Sequence, residues 1–313
     1  MKRRGFLSSV AATAAMGVAS GHPTQNQGEA AMGTSETSLL ILHTNDTHSH
    51  LDPLSSVYSR NAGLGGAARR ADLIKQIRRR HKNVLLLDSG DMFQGTPYFN
   101  LFGGELEFKV MTAMGYDVAT LGNHEFDNGV DGLVKQMPHA GFEFVCANYE
   151  MDQSPLAKHV KPYTTRLYGD FKVGIFGLGV AFDGLVLESA HGGISYQDPI
   201  LVARKMVDRL RGEGCHFIVC LSHLGHRYRN DKVGDINLAA EVAGIDLILG
   251  GHTHTFMDTP DIIEDPEKTA TMVHQVGCFG VRLGQIRVDF QSNDRVVRLE
   301  PRQYVLESNV RLT

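Results

Sequence analysis

Apolar runs alternate with amphipathic ones along most of this chain. Leu39-Leu40-Ile41-Leu42 reads as a buried strand after a long polar stretch. Ala67 to His81 carries apolar residues at helical spacing with a basic opposite face, and a strand follows from Asn83 to Leu87. The pattern then predicts a helix over Phe102 to Met114, a strand at Val118-Ala119-Thr120, a helix over Val130 to His139 and a strand over Phe142 to Cys146. Lys161 to Leu178 breaks the alternation, because two β-rich runs meet at Gly169-Asp170 as in a hairpin. Pro199 to Arg211 predicts a helix with proline at its start, then strand His216 to Leu221, helix Ile236 to Ala243 and strand Ile245 to Leu249. Thr271 to Val276, Val281 to Phe290 and Arg295 to Val305 read as β structure. The mixture implies an α/β core with added strand pairs, without internal repeats.

The start of the chain stands apart from this pattern. Met1-Lys2-Arg3-Arg4-Gly5-Phe6-Leu7 is basic with paired arginines and runs into the small, alanine-rich stretch Ser8 to Ser20. This is the form of a twin-arginine export signal, with Val18-Ala19-Ser20 offering a cleavage point. The expected organisation is a signal over residues 1–21, a polar linker over 22–38 and one catalytic domain over 39–313. No cysteine follows the signal and no later run is long enough to span a bilayer, so no membrane anchor is expected. The expected location is periplasmic or secreted.

Composition narrows the partners. The 313 residues are 42% apolar and 21% charged, with a formal charge of −4; without Lys2, Arg3 and Arg4 there are 28 basic against 35 acidic side chains, or −7. That balance argues against a nucleic-acid polymer as ligand. Cys146, Cys215, Cys220 and Cys278 lack C-x-x-C spacing, and three lie among core-like neighbours, which favours buried thiols over disulfides.

Candidate ligands fall at strand ends. Asp46-Thr47-His48 follows the first strand, Asp88-Ser89-Gly90-Asp91 the second, Gly122-Asn123-His124 the third, and Ser222-His223 and Gly251-His252-Thr253-His254 two later ones. Sites in α/β sheets form where carboxyl ends of strands meet their loops, so these groups are expected to share one rim. In extended chain, residues i and i+2 point the same way, which would aim Asp46 with His48, and His252 with His254, at one cavity. Gly90, Gly95, Gly122, Gly250 and Gly251 leave room for tight loops. Carboxylates, imidazoles and one amide without thiolate suit divalent Mn, Fe, Zn or Co, with Asp91 able to bridge two ions. Any one of these groups alone is more often a hydrogen-bonded structural residue, but five together are not.

The set Asn45-Asp46-Thr47-His48, Gly90-Asp91, Gly122-Asn123-His124-Glu125, Ser222-His223 and Gly251-His252-Thr253-His254 resembles the calcineurin-like metallophosphoesterase superfamily. His43 to His50, Gly90 to Thr96, Asn123 to Asp127 and Ile245 to His254 resemble its 5'-nucleotidase branch in particular. The resemblance runs from about Leu39 to Phe290 and implies a four-layer α/β/β/α sandwich. It implies one metal among Asp46, His48, Asp91 and His254, and a second among Asp91, Asn123, His223 and His252, with Asp91 shared. The position of His254 is a glutamine in many relatives. The resemblance also makes His124 and Asp127 a catalytic pair; the alternative is that His124 packs behind Asn123 and Asp127 caps the helix near Gly129.

The implied activity is two-metal hydrolysis of phosphomonoesters, 5'-nucleotides foremost. The rival readings are a phosphodiester or nucleotide-sugar hydrolase, a thiosulfohydrolase, and a metal-binding accessory protein without turnover. Members of this branch carry a second, carboxy-terminal domain that grips the nucleotide, and this sequence stops at Thr313, so a separate polypeptide supplying that domain is one expected partner. His43, His50 and His226 are expected behind the ligands, in the core or in solvent; Phe93, Tyr98 and Phe99 are expected to pack more than to stack a base. His274 and Gln275 resemble a strand position near the site, without an assigned role.

Overall fold

Inward and outward apolar residues alternate on the long strands, and that alternation sets the layers. The computed structural model describes residues 37–291 and 296–308; the signal segment, 1–21, and residues 22–36 of the linker lie outside them. The first half of the domain runs β1 (Thr37–Thr44), α1 (Ala67–Arg80), β2 (Val84–Asp88), α2 (Pro97–Phe102), α3 (Glu105–Met114), β3 (Val118–Ala119), α4 (Gly129–Gln136), β4 (Glu143–Val145), β5 (Tyr149–Glu150) and β6 (Val160–Lys161). The second runs β7 (Tyr163–Tyr168), β8 (Phe171–Leu178), α5 (Glu188–His191), β9 (Ser195–Tyr196), α6 (Pro199–Gly212), β10 (Phe217–Ser222), α7 (Asp235–Glu241), β11 (Leu247–Gly250), β12 (Asp261–Glu264), β13 (Ala270–His274), β14 (Arg282–Phe290) and β15 (Val296–Val305).

Two sheets result. One has the order β15-β14-β1-β2-β3-β4-β6 and the other β12-β13-β11-β10-β8-β7, with β5 and β9 forming a small separate pair. The strands that lead to the candidate ligands, β1, β2 and β3, are mutually parallel, as are β10 and β11, so their carboxyl ends share a direction within each sheet. Between the sheets lies a core of Leu39, Ile41, Leu85 and Leu87 from one side and Val173, Ile175, Val219 and Leu249 from the other. Leu40, Leu42 and Leu86 face outward against Leu73, Ile77 and Phe108 of the first helical layer. Phe176, Leu178 and Ile248 face the second layer, where Ala203, Leu210 and Leu238 meet them. These are the four layers α/β/β/α.

Local signals place several ends. Asp198 caps α6 by accepting the Leu201 N–H at 2.9 Å, with Pro199 at the first helical position. The helix expected over Phe102 to Met114 is α3, which starts only at Glu105, because the short helix α2 ends at Phe102 and the chain turns between them. Gly103 and Gly104 both take positive φ, and a side chain on Gly104 would strike the buried Phe93 ring, so the chain turns there. Strand β12 lies outside the predicted elements, because its Asp261-Ile262-Ile263-Glu264 pattern is short and half-exposed, the character of a charged edge strand. All four cysteines are buried and free. No helix among the described residues is long and apolar enough to cross a membrane.

Gly177 on β8 lies where the two sheets come close together. A methyl group there would collide with the Val145 carbonyl oxygen and lie 2.5 Å from Thr120 Oγ1 across the sandwich. Gly177→Ala should therefore cost about 1–3 kcal/mol through overpacking, read as a lower denaturant midpoint at unchanged slope. An unshifted midpoint would show that the sheets separate there without penalty.

Candidate metal centre

The chain leaving β1 keeps pairing with the chain leaving β2. Asp46, His48 and Ser49 donate their N–H groups to the carbonyls of Gly90, Asp91 and Met92 at 2.9, 3.0 and 2.9 Å. The two loops are thus a curled continuation of the parallel ladder. Asp46, His48, Asp91, His252 and His254 all have positive φ, between 46° and 69°. The expectation of extended Asp-x-His and His-x-His segments is therefore corrected: the backbone is left-handed at each of these positions. Asp and His tolerate that region better than most residues, yet it costs about 1–3 kcal/mol each, and hydrogen bonds around the rim hold it.

Asn45 supplies several of those bonds. Its amide donates to Gly277 O and to Asp46 Oδ2, both at 2.6 Å, and its oxygen accepts the Val276 N–H at 3.0 Å. The Asp46 carboxylate in turn accepts the His252 N–H at 3.0 Å, which ties the loop after β1 to the loop after β11. Glu125 does the same for the second and third loops. Its oxygens accept N–H groups from Asp91, Met92, Phe93 and Gly122 at 2.6 to 3.3 Å. Burial, with the Asp91 charge adding to it, pushes the Glu125 carboxyl up to about 7, against the pull of those donors.

With the loops fixed, Asp46, His48 and His254 bring one ligand atom each to a common point, and so do Asp91, His223 and His252. His48 and Asp91 form a further group with His124. Asn123 Oδ1 is buried without a hydrogen-bond partner. The structure thus gathers six of the seven candidate ligands at one rim, with Asn123 next to His124 in the chain.

Tautomers decide what this arrangement can hold. Among the described residues the acceptor at His223 Nδ1 is the Ser89 carbonyl, 2.6 Å away, so Nδ1 carries the hydrogen and Nε2 is a lone pair in the neutral ring. That Nε2 lies 3.0 Å from Asp91 Oδ2 but makes no aligned hydrogen bond. His48 repeats the device: Nδ1 donates to the Phe93 carbonyl at 3.1 Å, and Nε2 lies 2.9 Å from His254 Nε2. In the neutral rings a lone pair of His223 faces a carboxylate and one of His48 faces a second imidazole, and each contact is stabilised by a proton or a cation between the partners. The donor set and its orientation therefore fit divalent ions of the Mn, Fe, Zn and Co kind.

The electrostatics agree. Burial opposes charge on His223, but Asp91 beside it pushes the imidazole up to about 10. Burial would raise Asp91, yet His223 and His48 hold its carboxyl well below the usual range. His252 is drawn down to about 4 by burial and by the His223 charge.

His124 faces this centre. Its ring lies 5.2 Å from that of His48 between centroids, and its Nδ1 is 2.9 Å from Asp127 Oδ2. The helix that follows has Asn128 at its cap position, so Asp127 is engaged with His124 and does not cap α4. Asp127 also borders a depression of about 350 Å³ lined by Gln94, Thr96, Pro97 and Asn100.

His43 is fully buried, with Nε2 2.9 Å from His274 Nδ1 across the two sheets. His50 is buried against Tyr58 and Phe279 and is not solvated; His226 is held by Asp261 at 2.9 Å. Phe93 and Phe99 pack into the core with Phe108, and Tyr98 bonds Asp52. Gln275 donates to Gly251 O at 2.6 Å and so props the loop of His252 and His254. Asn45, Glu125 and Phe279 have no role in the sequence reading. Glu125 and Asn45 stand inside the quoted motifs, beside ligands, while nothing local marks Phe279, whose ring borders both His48 and His254.

Residues 39–256 match the family described as calcineurin-like phosphoesterase. The 5'-nucleotidase of Bos taurus is 35% identical over 294 residues, covering 87% of this chain and 50% of its own length. The 5'-nucleotidase of Homo sapiens is 34% identical, with the same coverage. Among solved structures, a 5'-nucleotidase precursor from Thermus thermophilus superimposes with a TM-score of 0.78 at 32% identity, over 86% of this chain and 55% of that one. The NAD nucleotidase of Haemophilus influenzae gives 0.73 at 29% identity, over 89% and 54%. The chain spans about half the length of these relatives.

Ion uptake should release protons. After chelation, His223 beside Asp91 keeps its proton at pH 7, because its value is raised to about 10, and an ion must displace it. Titrating Mn into chelated protein in buffers of different ionisation enthalpy should report release of about one proton per chain from this position. Uptake without proton release would show that Asp91 and His223 do not take part.

Proposed function

The chain belongs to the calcineurin-like phosphoesterase family, and from that premise we propose that it hydrolyses phosphomonoesters, 5'-nucleotides foremost, with two divalent ions and outside the inner membrane. The observation that carries this reading is the convergence of His48, His223 and His254 nitrogens on two buried carboxylates, Asp46 and Asp91. Asp46, His48, Asp91 and His254 would hold one ion, and Asp91, Asn123, His223 and His252 the other. When bound, such ions supply Lewis acidity toward the phosphoryl oxygens.

The remaining work falls to the chain's own side chains. Asp127 accepts from His124 Nδ1, which fixes the ring and leaves Nε2 to deliver a proton to the departing oxygen. Burial pulls His124 down, but its bond to Asp127 and the charge of Asp91 raise it above the ordinary histidine value. The proton donor therefore stays charged to higher pH than a free histidine would.

The similarity to NAD nucleotidase favours a second reading, cleavage of the pyrophosphate link of a dinucleotide at the same site. Hydrolysis of p-nitrophenyl phosphate, bis-p-nitrophenyl phosphate, AMP and NAD, with and without Mn, Zn or Co, tests both. Metal-dependent turnover of AMP supports the first, and turnover of NAD with AMP untouched supports the second. Turnover of the small esters alone assigns the nucleotide grip to a separate polypeptide, and no turnover at all sinks the reading. The export part rests on Arg3-Arg4 and the stretch after them; finding the full chain in the cytoplasmic fraction of its cells would overturn it.

His124→Ala should lower kcat by about 10²- to 10⁴-fold. In the native enzyme kcat should fall as pH rises through the raised His124 value, and Asp127→Asn should move that limb to lower pH. A limb that stays in place in Asp127→Asn would remove the pair from the proton transfer.

A further inference from the structure

The loop between β10 and α7 carries a cation that the site as described does not use. Its residues His226-Arg227-Tyr228-Arg229-Asn230-Asp231-Lys232 begin three positions after His223. Tyr228 is the anchor. Its hydroxyl donates to the Leu224 carbonyl at 2.7 Å, next to His223. A side chain on Gly225 would strike the Tyr228 hydroxyl and lie 2.8 Å from Thr253 Cγ2. The same loop is pinned to the loop of His252 and His254 by the His226 N–H, which donates to Thr253 Oγ1 at 2.9 Å. Tyr228 thus stands between the two loops that bring His223 and His252 to the centre.

Lys232 lies over this ring, with Nζ 4.7 Å from its centroid. Among the described residues no carboxylate lies within ion-pair distance of that ammonium, so the ring face is its only charge-stabilising contact. The group is half-buried, and burial lowers its value. Its charge reaches His252, where it adds to the effect of His223. A half-buried ammonium over a ring face, on a loop pinned to the loops of His223 and His252, is placed to meet negative charge arriving at that end of the centre.

We propose that Lys232, carried on the Tyr228 ring, is a substrate-binding residue whose ammonium grips the non-bridging oxygens of the phosphoryl group on the Asp91, His223 and His252 side of the centre. This rests on the phosphoesterase reading. It gives the domain a phosphate-directed cation of its own, and it makes the site favour a phosphoryl dianion over a diester monoanion. Tyr228 is the positioning residue, since it holds the ammonium at the rim without touching substrate.

The test uses the signal-free protein loaded with Mn. Lys232→Met should raise KM for p-nitrophenyl phosphate by about tenfold with kcat within about threefold, as expected for loss of one charge-assisted contact. KM for bis-p-nitrophenyl phosphate should change by less than about twofold, and Lys232→Arg should restore most of the monoester affinity. A readout apart from turnover is calorimetric titration of inorganic phosphate, which should weaken by about tenfold in Lys232→Met while Mn per chain is unchanged. Equal phosphate affinity in the two proteins, or equal losses for monoester and diester, overturns the proposal. If the native protein hydrolyses no ester, the phosphoesterase reading fails by itself, and the phosphate titration still judges Lys232.

Discussion

Imidazole nitrogens that cannot all keep their protons are the constraint on which the rim of this protein depends. Backbone carbonyls of Ser89 and Phe93 take the Nδ1 hydrogens of His223 and His48. What remains inside is a ring of imidazole nitrogens around Asp46 and Asp91, both nearly inaccessible to solvent. Such a ring holds together only with protons or cations between its members, so the fold must bring strong scaffolding to fix it. Asn45, Glu125 and Gln275 are that scaffolding, each buried or braced against backbone.

The scaffold also explains why strained backbone gathers here. Of the non-glycine residues with positive φ, Asp46, His48, Ser49, Asp91, Gln94, His252, His254 and Phe279 all belong to the converging loops. The two sheets supply the leverage. Ser89 Oγ donates to the Leu249 carbonyl at 2.7 Å and the Phe279 N–H to the Asp46 carbonyl at 2.7 Å, so loops from opposite sheets brace one another. A close-packed inter-sheet core fixes their separation, which is why a single methyl group at Gly177 matters.

Much of this was legible in the sequence, for definite reasons. Buried parallel strands appear as uninterrupted apolar runs, so Leu39 to Leu42 and Phe217 to Leu221 were easily seen. Aspartate, asparagine and histidine soon after such runs are conspicuous, which marked the seven candidate ligands. The backbone conformation was not legible, because left-handed φ at Asp46 or His252 is imposed by pairing with distant loops. Nor was the break at Gly103-Gly104, where the deciding partner is the Phe93 ring. Short edge strands such as Asp261–Glu264 carry too few residues to show a period. Phe279 and Lys232 gain meaning only from neighbours that the chain order conceals.

Strand order has one more effect, on the timing of assembly. Strand β1, which leads to Asp46 and His48, is paired on one side with β14, so Thr37 lies opposite Phe290. Asn45 is stitched to Val276 and Gly277, 231 and 232 positions further along the chain. A ribosome makes those partners much later, and the opening segment must wait for them, a topology with high contact order and slow closure. On a nascent chain the first two candidate ligands are therefore present long before anything holds them in place. The centre can take its final shape only after β14 has emerged, so a competent site follows the synthesis of that strand and does not precede it.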